Sequence, residues 1–336
     1  MNSVLVVGGG ITGIQVSLDL SQLGCTVTLL EKEEELGGKL NKLSKLFPKE
    51  ESAGELLKSK LSQVDDNGNI QIKTQAEIEK VEGKPLKYNI SLKGEEKTIE
   101  VSAVVLATGF DSFDPTSIEE YGYGRLKDVI TAFELEKMLK EEKVVRPSDG
   151  GKPQNITFLQ CVGSRDQKTN RYCSYFCCTY AVKEALALKK LNPQSDVRIM
   201  YMDIRTPYLY EHLYTEAREQ SIQFIRSRVS GVSEKDRTLA LDIENTVTGE
   251  TETLSSELVV LSIGGIPSAS TSKLADQFKI PLSDQGFFKV AEAPVGSAVG
   301  GVFIAGAANG LKDIPSCLAE ASASAICVAQ FLRERT

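Results

Sequence analysis

The sequence lacks several residue types on which common catalytic chemistries depend. Its 336 residues include no tryptophan and a single histidine, His212. One histidine leaves little room for serine–histidine nucleophilic chemistry or for metal sites built from several histidines. The polar, helical stretch around His212 predicts a surface residue. The sequence therefore directs the search for a functional site to its glycines and cysteines.

Signals for export or membrane insertion are also scarce. The chain opens directly into an apolar strand, Ser3 to Val7, so we expect no signal peptide. We find no apolar run of the roughly 20 residues that cross a bilayer, which predicts a cytoplasmic protein with no direct membrane span. The net charge is −7 and no stripe of lysine and arginine is present. This argues against nucleic acid or an anionic membrane as the main partner.

The N-terminal segment has the pattern of a dinucleotide-binding βαβ unit. Gly8, Gly10 and Gly13 form G-x-G-x-x-G between an apolar strand and an amphipathic helix, and Glu31 ends the next strand. The first glycine permits a tight turn, the second admits a pyrophosphate, and the third lets helix and strand pack closely. The helix N terminus offers free N–H groups to phosphate, and an acid at the position of Glu31 binds ribose hydroxyls.

Three further stretches favour FAD over NAD, because in this order they resemble two-dinucleotide-domain flavoproteins. They are LGGKL with Gly37 and Gly38, VVLATGF with Thr108 and Gly109, and GVFIAGAANG with Gly306. The resemblance places the glycine pair near the ribityl chain, Thr108 and Gly109 beside the cofactor, and Gly306 at the ribityl–phosphate region. Ala307 stands where many relatives carry an aspartate that binds a ribityl hydroxyl.

Two charged residues extend the predicted flavin site. Lys39 follows the glycine pair, and a cation there would favour the reduced, anionic flavin; a solvated lysine is the alternative. Asp313 opens the last helix, whose N terminus is expected to face the flavin ring.

If both ends of the chain build the flavin site, that domain is discontinuous. We predict an FAD-binding domain from residues 1–145 and 261–336, interrupted by a second α/β domain at 146–260. This is the plan of the thioredoxin-reductase-like flavoproteins, so the predicted fold class is α/β. Within this plan we expect a helix from Tyr172 to Lys190 and an antiparallel layer containing Asn69–Lys73 and Tyr88–Leu92.

The inserted domain carries cysteines where a second phosphate-binding glycine turn would stand. A strand, ITFLQ, leads into CVGSRD, and Cys161, Cys173, Cys177 and Cys178 follow within one short stretch. Four thiolates are the usual ligands of a [4Fe–4S] cluster, but adjacent cysteines would require an irregular start of the helix. Buried apolar cysteines and a redox dithiol of Cys173 and Cys177 are the alternatives.

Long motifs make the sequence similar to the HdrA family, the flavin subunits of heterodisulfide reductases. They are CVGSRD with YCSYFCCTYAVKEA, YGYGRLKDVITAFELEKML, VVRPSDG, YMDIRT and GVFIAGAANGLKDIPSCLAEASASA. The resemblance covers nearly the whole chain from Gly8. It implies FAD and an unusual [4Fe–4S] cluster near it, with all four clustered cysteines as ligands. Arg165 and Arg171 are candidates to stabilise the charge of that cluster, with surface positions as the alternative.

The chain departs from the family in having no ferredoxin-like C-x-x-C-x-x-C modules, and the segment directly after FPKEES has no cysteines where many relatives have them. It is therefore most like the short form in sulfur-oxidising heterodisulfide-reductase-like complexes; a similar subunit occurs in quinone-interacting oxidoreductases. The resemblance implies an electron-transfer subunit, with partner subunits that handle thiols or disulfides, and we expect a homodimer. The alternatives are a stand-alone flavin disulfide reductase and a non-catalytic FAD-binding subunit.

Overall fold

The computed structural model describes residues 2–291 and 295–334. The chain forms two compact units, unit 1 (1–41, 54–111 and 266–336) and unit 2 (42–53 and 112–265). These limits differ from the predicted division at residues 145 and 260. The difference arises because a short strand, Val129–Thr131, pairs in the sheet of unit 2.

The elements within the described residues are as follows. The strands are β1 (Ser3–Val7), β2 (Thr26–Leu30), β3 (Lys45–Leu46), β4 (Glu51–Ser52), β5 (Ile70–Lys73), β6 (Ile78–Lys84), β7 (Lys87–Leu92), β8 (Ile99–Val101), β9 (Ala103–Leu106), β10 (Phe110–Ser112), β11 (Val129–Thr131), β12 (Asn155–Val162), β13 (Asp196–Tyr201), β14 (Gln223–Lys235), β15 (Thr238–Asn245), β16 (Thr251–Ser256), β17 (Leu258–Ile263), β18 (Gly265–Pro267) and β19 (Val302–Ile304). The helices are α1 (Ile11–Gln22), α2 (Ala53–Asp65), α3 (Ala132–Lys140), α4 (Cys177–Leu191), α5 (Glu211–Glu219), α6 (Thr271–Phe278) and α7 (Ile314–Arg333).

Unit 1 is built on a parallel five-stranded sheet in the order β19-β9-β1-β2-β5. Its central strands are continuous apolar runs, as expected where helices or other layers cover both faces, and Val4, Leu5 and Val6 are fully buried. Because the strands are parallel, β1, β2, β9 and β19 all end at one edge. That edge is where doubly wound folds bind ligands.

A separate three-stranded antiparallel sheet in unit 1 has the order β6-β7-β8. It contains β7, in agreement with the predicted antiparallel layer. The prediction was wrong for β5, which pairs in parallel with β2 at the edge of the main sheet. Alternation in a four-residue strand does not reveal which neighbour it joins.

Unit 2 is a seven-stranded mixed sheet in the order β11-β17-β12-β13-β14-β15-β16. The strands from β11 to β14 are parallel, and β15 and β16 add antiparallel pairs. Helices α3, α4 and α5 cover one face with a core that includes Phe158 and Leu186. The register of β12 shifts after Leu159, just before the first clustered cysteine.

Among the described residues, helix α7 is the one helix whose length and apolar composition would be sufficient to cross a membrane. This departs from the expectation that no segment reaches that length. The helix also carries Glu320, and one side of it is buried within unit 1 through Ala321, Ala325, Val328 and Leu332. These residues are mostly small, so α7 packs closely beside α1.

Candidate functional site

The glycine turn of unit 1 contains three glycines, and a side chain is absent from each for a different structural reason. Gly8 has a φ of 109°, and a Cβ there would lie 2.4 Å from the carbonyl oxygen of Ala107. A Cβ on Gly13 would lie 1.8 Å from the carbonyl oxygen of Gly8, so helix and strand pack too closely for any side chain. Gly10 has an ordinary extended conformation, and no atom lies within 4 Å of its Cβ position. Gly10 therefore borders open space at the N terminus of α1, where a pyrophosphate fits.

Glu31 fixes this turn from the end of β2. Its carboxylate is buried, and Oε2 accepts a hydrogen bond of 2.7 Å from the N–H of Gly9. The other oxygen, Oε1, accepts from the N–H of Glu33 at 2.9 Å. A carboxylate has about four lone-pair sites, so Glu31 retains acceptor capacity for the hydroxyls of a ribose.

The glycine pair packs against the same turn. The N–H of Gly37 donates to the carbonyl oxygen of Gly9 at 2.8 Å, and Gly37 has a φ of 112°. A Cβ on Gly38 would lie 3.3 Å from the Cα of Gly10. Lys39 follows with its Nζ 4.7 Å from the centroid of the Phe110 ring, a cation–π distance. The two predicted glycine segments thus form one backbone surface, and the lysine is held on an aromatic ring.

Thr108 and Gly109 follow β9 at the same edge of the sheet. The hydroxyl oxygen of Thr108 is buried and has no hydrogen-bond partner. A buried polar group without a partner destabilises a protein by about 1–3 kcal/mol, and a polar ligand would satisfy it. Gly109 has a φ of 67°, and the space beside it is open. Both features fit a bound dinucleotide.

Gly306 follows β19 and lies close to α1, since a Cβ there would be 2.3 Å from Oγ1 of Thr12. Its N–H donates to Oε2 of Glu320 at 3.0 Å, and Oε1 of the same carboxylate contacts Lys312 Nζ at 2.5 Å. Sequence reasoning missed Glu320. The available signal was that it is the sole charged residue from 314 to 332.

Asp313 caps helix α7. Its side chain accepts a hydrogen bond of 2.9 Å from the N–H of Ser316, and the carboxyl group is buried. Capping satisfies one of the free N–H groups of the first turn. Asp313 therefore fixes the start of α7, next to the segment that carries Gly306, and the buried Ala307 contributes only a methyl group there.

The four clustered cysteines lie together in unit 2. Burial and the charges of Cys178 and Cys173 raise the pKa of Cys161 to about 11. A hydrogen bond with Cys178, together with burial, raises the pKa of Cys177 well above its usual value. That hydrogen bond lowers the pKa of Cys178 to about 7, with help from the backbone N–H of Arg205. Four thiols that influence one another in this way form a single site.

The described residues contain no group of three or more histidine, cysteine or acidic side chains gathered around one metal ion. A single ion would need its ligands about 2.0–2.3 Å from one point. In a four-iron cluster each thiolate binds a different iron, so the sulfurs stand further apart. The donor set of four thiols and no carboxylate fits such a cluster better than a lone ion.

Arg165 supplies positive charge to the cysteine site. Its guanidinium bonds to Cys161 and forms an ion pair of 2.6 Å with Asp203. Its Nη1 is buried without a hydrogen-bond partner. Because a cluster with four thiolates is negatively charged, its sulfurs would satisfy this donor. Arg171, the other predicted arginine, is exposed.

The backbone around the cysteines is strained. Cys161, Arg165 and Tyr175 have φ values of 63°, 58° and 67°, in the left-handed region that residues other than glycine rarely adopt. Each such residue costs about 1–3 kcal/mol, and such strain concentrates at functional sites. The N–H of Tyr175 donates to Cys173 Sγ at 3.3 Å. Since Tyr175 interrupts the helical conformation, α4 begins at Cys177 and the prediction of a start at Tyr172 was wrong.

A buried ionic cluster on α3 and α4 was also missed. Lys183 pairs with Glu136, and both side chains are almost fully buried. Burial, and then the charge of Glu136, raise the pKa of Glu184 well above its usual value. Burial therefore favours the protonated form of Glu184. The sequence signal was a charged pair within the apolar run of α4. His212, by contrast, lies on the surface, as predicted.

The fold defines a class of protein. Residues 2–146 match the pyridine nucleotide-disulphide oxidoreductase family. The structure resembles T. acidophilum thioredoxin reductase (17% identity, TM-score 0.68, 99% of each chain). It also resembles Lactococcus lactis thioredoxin reductase (17% identity, TM-score 0.70, 99% of this chain and 100% of that one). The predicted fold class, a thioredoxin-reductase-like flavoprotein fold, is confirmed.

The sequence relatives are more specific. The chain is 35% identical to the HdrA iron-sulfur subunit of the CoB–CoM heterodisulfide reductase of Methanocaldococcus jannaschii, over 97% of this chain and 64% of that protein. It is 34% identical to an HdrA iron-sulfur subunit of Methanopyrus kandleri, over 96% of this chain and 63% of that protein. The predicted resemblance to the HdrA family is thereby confirmed. The chain spans less than two thirds of the length of these relatives.

Proposed function

We propose that the chain is an FAD- and [4Fe–4S]-containing electron-transfer subunit of a heterodisulfide-reductase-like oxidoreductase. The observation that carries the proposal is the meeting of four thiols beside Arg165, whose buried Nη1 has no partner. This group stands where a second nucleotide-binding domain would have its phosphate turn. The relatives are named iron-sulfur subunits, and this name supports the same assignment.

In this proposal each unit binds one cofactor. In unit 1 the residues that would hold FAD are Gly8, Gly10, Gly13, Glu31, Gly37, Gly38, Lys39, Thr108, Gly109, Gly306 and Asp313. In unit 2 the cluster ligands would be Cys161, Cys173, Cys177 and Cys178. When bound, FAD supplies two-electron chemistry and the cluster supplies one-electron chemistry.

The chain's own residues position these groups and set their electrostatics. Gly10 leaves room for the pyrophosphate, and Glu31 holds the turn while its free lone pairs orient the ribose. Arg165 places a positive charge beside the thiolates, which stabilises the more negative, reduced state of a cluster. Hydrogen bonds to cluster sulfurs, such as that from the Tyr175 N–H, act in the same direction.

We also propose the kind of complex in which this subunit acts. In this proposal the complex is of the sulfur-oxidising kind that the sequence motifs resemble, with partner subunits that handle thiols or disulfides. A flavin subunit of a quinone-interacting oxidoreductase is the second member of this class. We further propose a cytoplasmic homodimer that joins these partners.

The deciding experiment is anaerobic purification followed by a visible spectrum with iron and acid-labile sulfide assays. A flavin spectrum with broad absorbance near ~400 nm and about four irons per chain supports the proposal. A flavin without iron, even after anaerobic reconstitution, overturns the cluster. A disulfide reductase using Cys173 and Cys177 then takes first place.

A further inference from the structure

The segment from Asp203 to Tyr210 forms one wall of the cysteine site. Cys178 Sγ donates to the carbonyl oxygen of Asp203 at 3.8 Å, and the backbone N–H of Arg205 bonds to the same sulfur. The carboxylate of Asp203 pairs with Arg165 at 2.6 Å. The segment is thus attached to the site by both backbone and side chain.

Beyond this wall the segment presents two apolar side chains to solvent. Tyr208 is 89% exposed and Leu209 is 78% exposed, the two largest exposures among the large apolar side chains described. Tyr208 has a φ of 55°, an unfavourable conformation for an aromatic residue. The neighbours on either side are anchored, because Thr206 is buried and Tyr210 packs on the Phe47 ring at 5.0 Å. The fold therefore holds a Tyr-Leu pair outward on a constrained backbone.

This pair lies close to the cysteines. Consecutive Cα atoms are about 3.8 Å apart, so the Cα of Tyr208 is at most about 11 Å from that of Arg205. Arg205 in turn bonds to Cys178 through its backbone. A protein seated on Tyr208 and Leu209 would lie beside the thiols, within the short range that electron transfer needs.

The segments that build the cysteine site hold more basic than acidic residues, in a chain whose net charge is −7. Arg226 donates to the carbonyl oxygen of Met202, and Arg228 lies 3.8 Å from Asp166. The basic residues of the cysteine loop, the wall and β14 are Arg165, Lys168, Arg171, Arg205, Arg226, Arg228 and Lys235; the acidic ones are Asp166, Asp203 and Glu234, and Glu211 follows the wall. Such an excess of positive charge attracts and orients an acidic partner.

We propose that Tyr208, Leu209 and the surrounding basic side chains form a docking surface for an acidic protein that carries an exposed one-electron centre. Aromatic and arginine side chains contribute most to protein interfaces, and here they surround a redox site. This proposal rests on the proposed function, since it requires a cluster at the four cysteines.

The test compares two reductants of the iron-loaded protein by stopped-flow bleaching of the cluster. One is a purified, reduced acidic bacterial ferredoxin, and the other is the methyl viologen radical, which needs no docking surface. In the double variant Tyr208→Ser/Leu209→Ser we expect the ferredoxin rate constant to fall at least tenfold and the viologen rate to stay unchanged. The control is Val247→Ser, which changes a 71% exposed side chain on the β15–β16 hairpin of the same unit.

A second variant tests the contribution of positive charge to docking. Arg205→Gln should lower the ferredoxin rate at low salt and flatten its decline with ionic strength. Iron content and the viologen rate report whether the site of each variant is intact.

The outcomes separate the two proposals. A parental ferredoxin rate in the double variant overturns the docking surface. So does a parent whose cluster is reduced by viologen but not by ferredoxin, and in both cases the electron-transfer function stands. A parent without iron overturns the proposed function and the docking surface together. Binding of the parent to phosphatidylglycerol vesicles that depends on Tyr208, with an unchanged ferredoxin rate, assigns the surface to a membrane and also overturns the proposal.

Discussion

Gly10 differs from the other glycines of its turn, because its missing side chain leaves space that the protein itself does not fill. We predict that Gly10→Val expels FAD by blocking the pyrophosphate. The unliganded protein should keep its free energy of unfolding within about 0.5 kcal/mol, since the new Cβ meets no protein atom. The flavin-to-protein ratio, measured after denaturation, tests the first statement, and urea unfolding of the flavin-free protein tests the second.

The matched control is Gly68→Val. Gly68 lies in an exposed loop, and its Cβ position is equally free of neighbours. This variant should retain parental flavin. Full flavin content in Gly10→Val would instead show that the turn does not bind the pyrophosphate.

Glu184 gives a prediction about pH. Its pKa is raised in the folded protein by burial and by the charge of Glu136, so folding takes up a proton at pH values between the unfolded and the folded pKa. The unfolded state loses this proton at about pH 4.3, the reference for glutamate. The stabilisation is complete below that pH and is lost as the pH rises through the folded pKa. Glu184→Gln should therefore flatten the fall in stability above about pH 5.

Thermal unfolding between pH 5 and pH 9 measures this effect. Glu219→Gln, a change at an exposed glutamate of α5, should leave the profile of the parent unaltered. If Glu184→Gln shows the same pH profile as the parent, Glu184 does not carry the buried proton.

The glycine turn could be predicted because its chemistry is local in sequence. A Cβ on Gly13 would meet the carbonyl oxygen of Gly8 in the same turn, and the spacing of the two glycines alone indicates this close approach. The contact of Gly8 with Ala107 is long-range, and the spacing does not indicate it. The pair of Lys183 and Glu136 could not be predicted in the same way, because the two residues are 47 positions apart. Their pairing depends on how α3 lies against α4, which no short pattern encodes.

At the scale of elements, α4 shows where a periodic pattern fails. Cys173 and Cys177 are four positions apart, a spacing that would place them on one face of a single helix. A single left-handed residue, Tyr175, separates them, and the helix begins only at Cys177. Helix α7 is the opposite case: Asp313, which was predicted to open the last helix, is its N-cap, because an aspartate followed two residues later by a proline marks an N terminus.

Helix α3 begins with a capping box that can be tested directly. Thr131 Oγ1 accepts from the N–H of Glu134 at 3.3 Å, and the Glu134 carboxylate accepts from the N–H of Thr131 at 2.7 Å. Removal of such a cap costs about 1 kcal/mol. We predict this loss for Thr131→Ala in urea unfolding, whereas Thr131→Ser keeps the hydroxyl and should stay near the parent. Equal losses in both variants would point to the methyl group rather than the cap.

At the scale of the whole molecule, the order of the motifs predicted the fold class correctly, because both ends of the chain carry flavoprotein segments. The boundaries of the two units were harder to predict from the sequence. Strand β11 pairs with β17, about 130 residues further along the chain, and this pairing draws the segment after residue 112 into unit 2. A short apolar strand gives no sign of so distant a neighbour.

Each candidate site is composed of residues from one unit, and this leads to a prediction about cofactor content. In Cys177→Ser the hydroxyl is a poor iron ligand, so we expect loss of most iron and retention of FAD. Cys327→Ser, which changes a half-buried thiol on α7, should keep both cofactors. Iron assays and flavin release on the same anaerobic preparation measure the two contents together. Because Gly10→Val should show the reverse, loss of FAD with iron retained, the pair of variants tests the separation from both sides. Joint loss of both cofactors in either variant would mean that one site cannot form without the other.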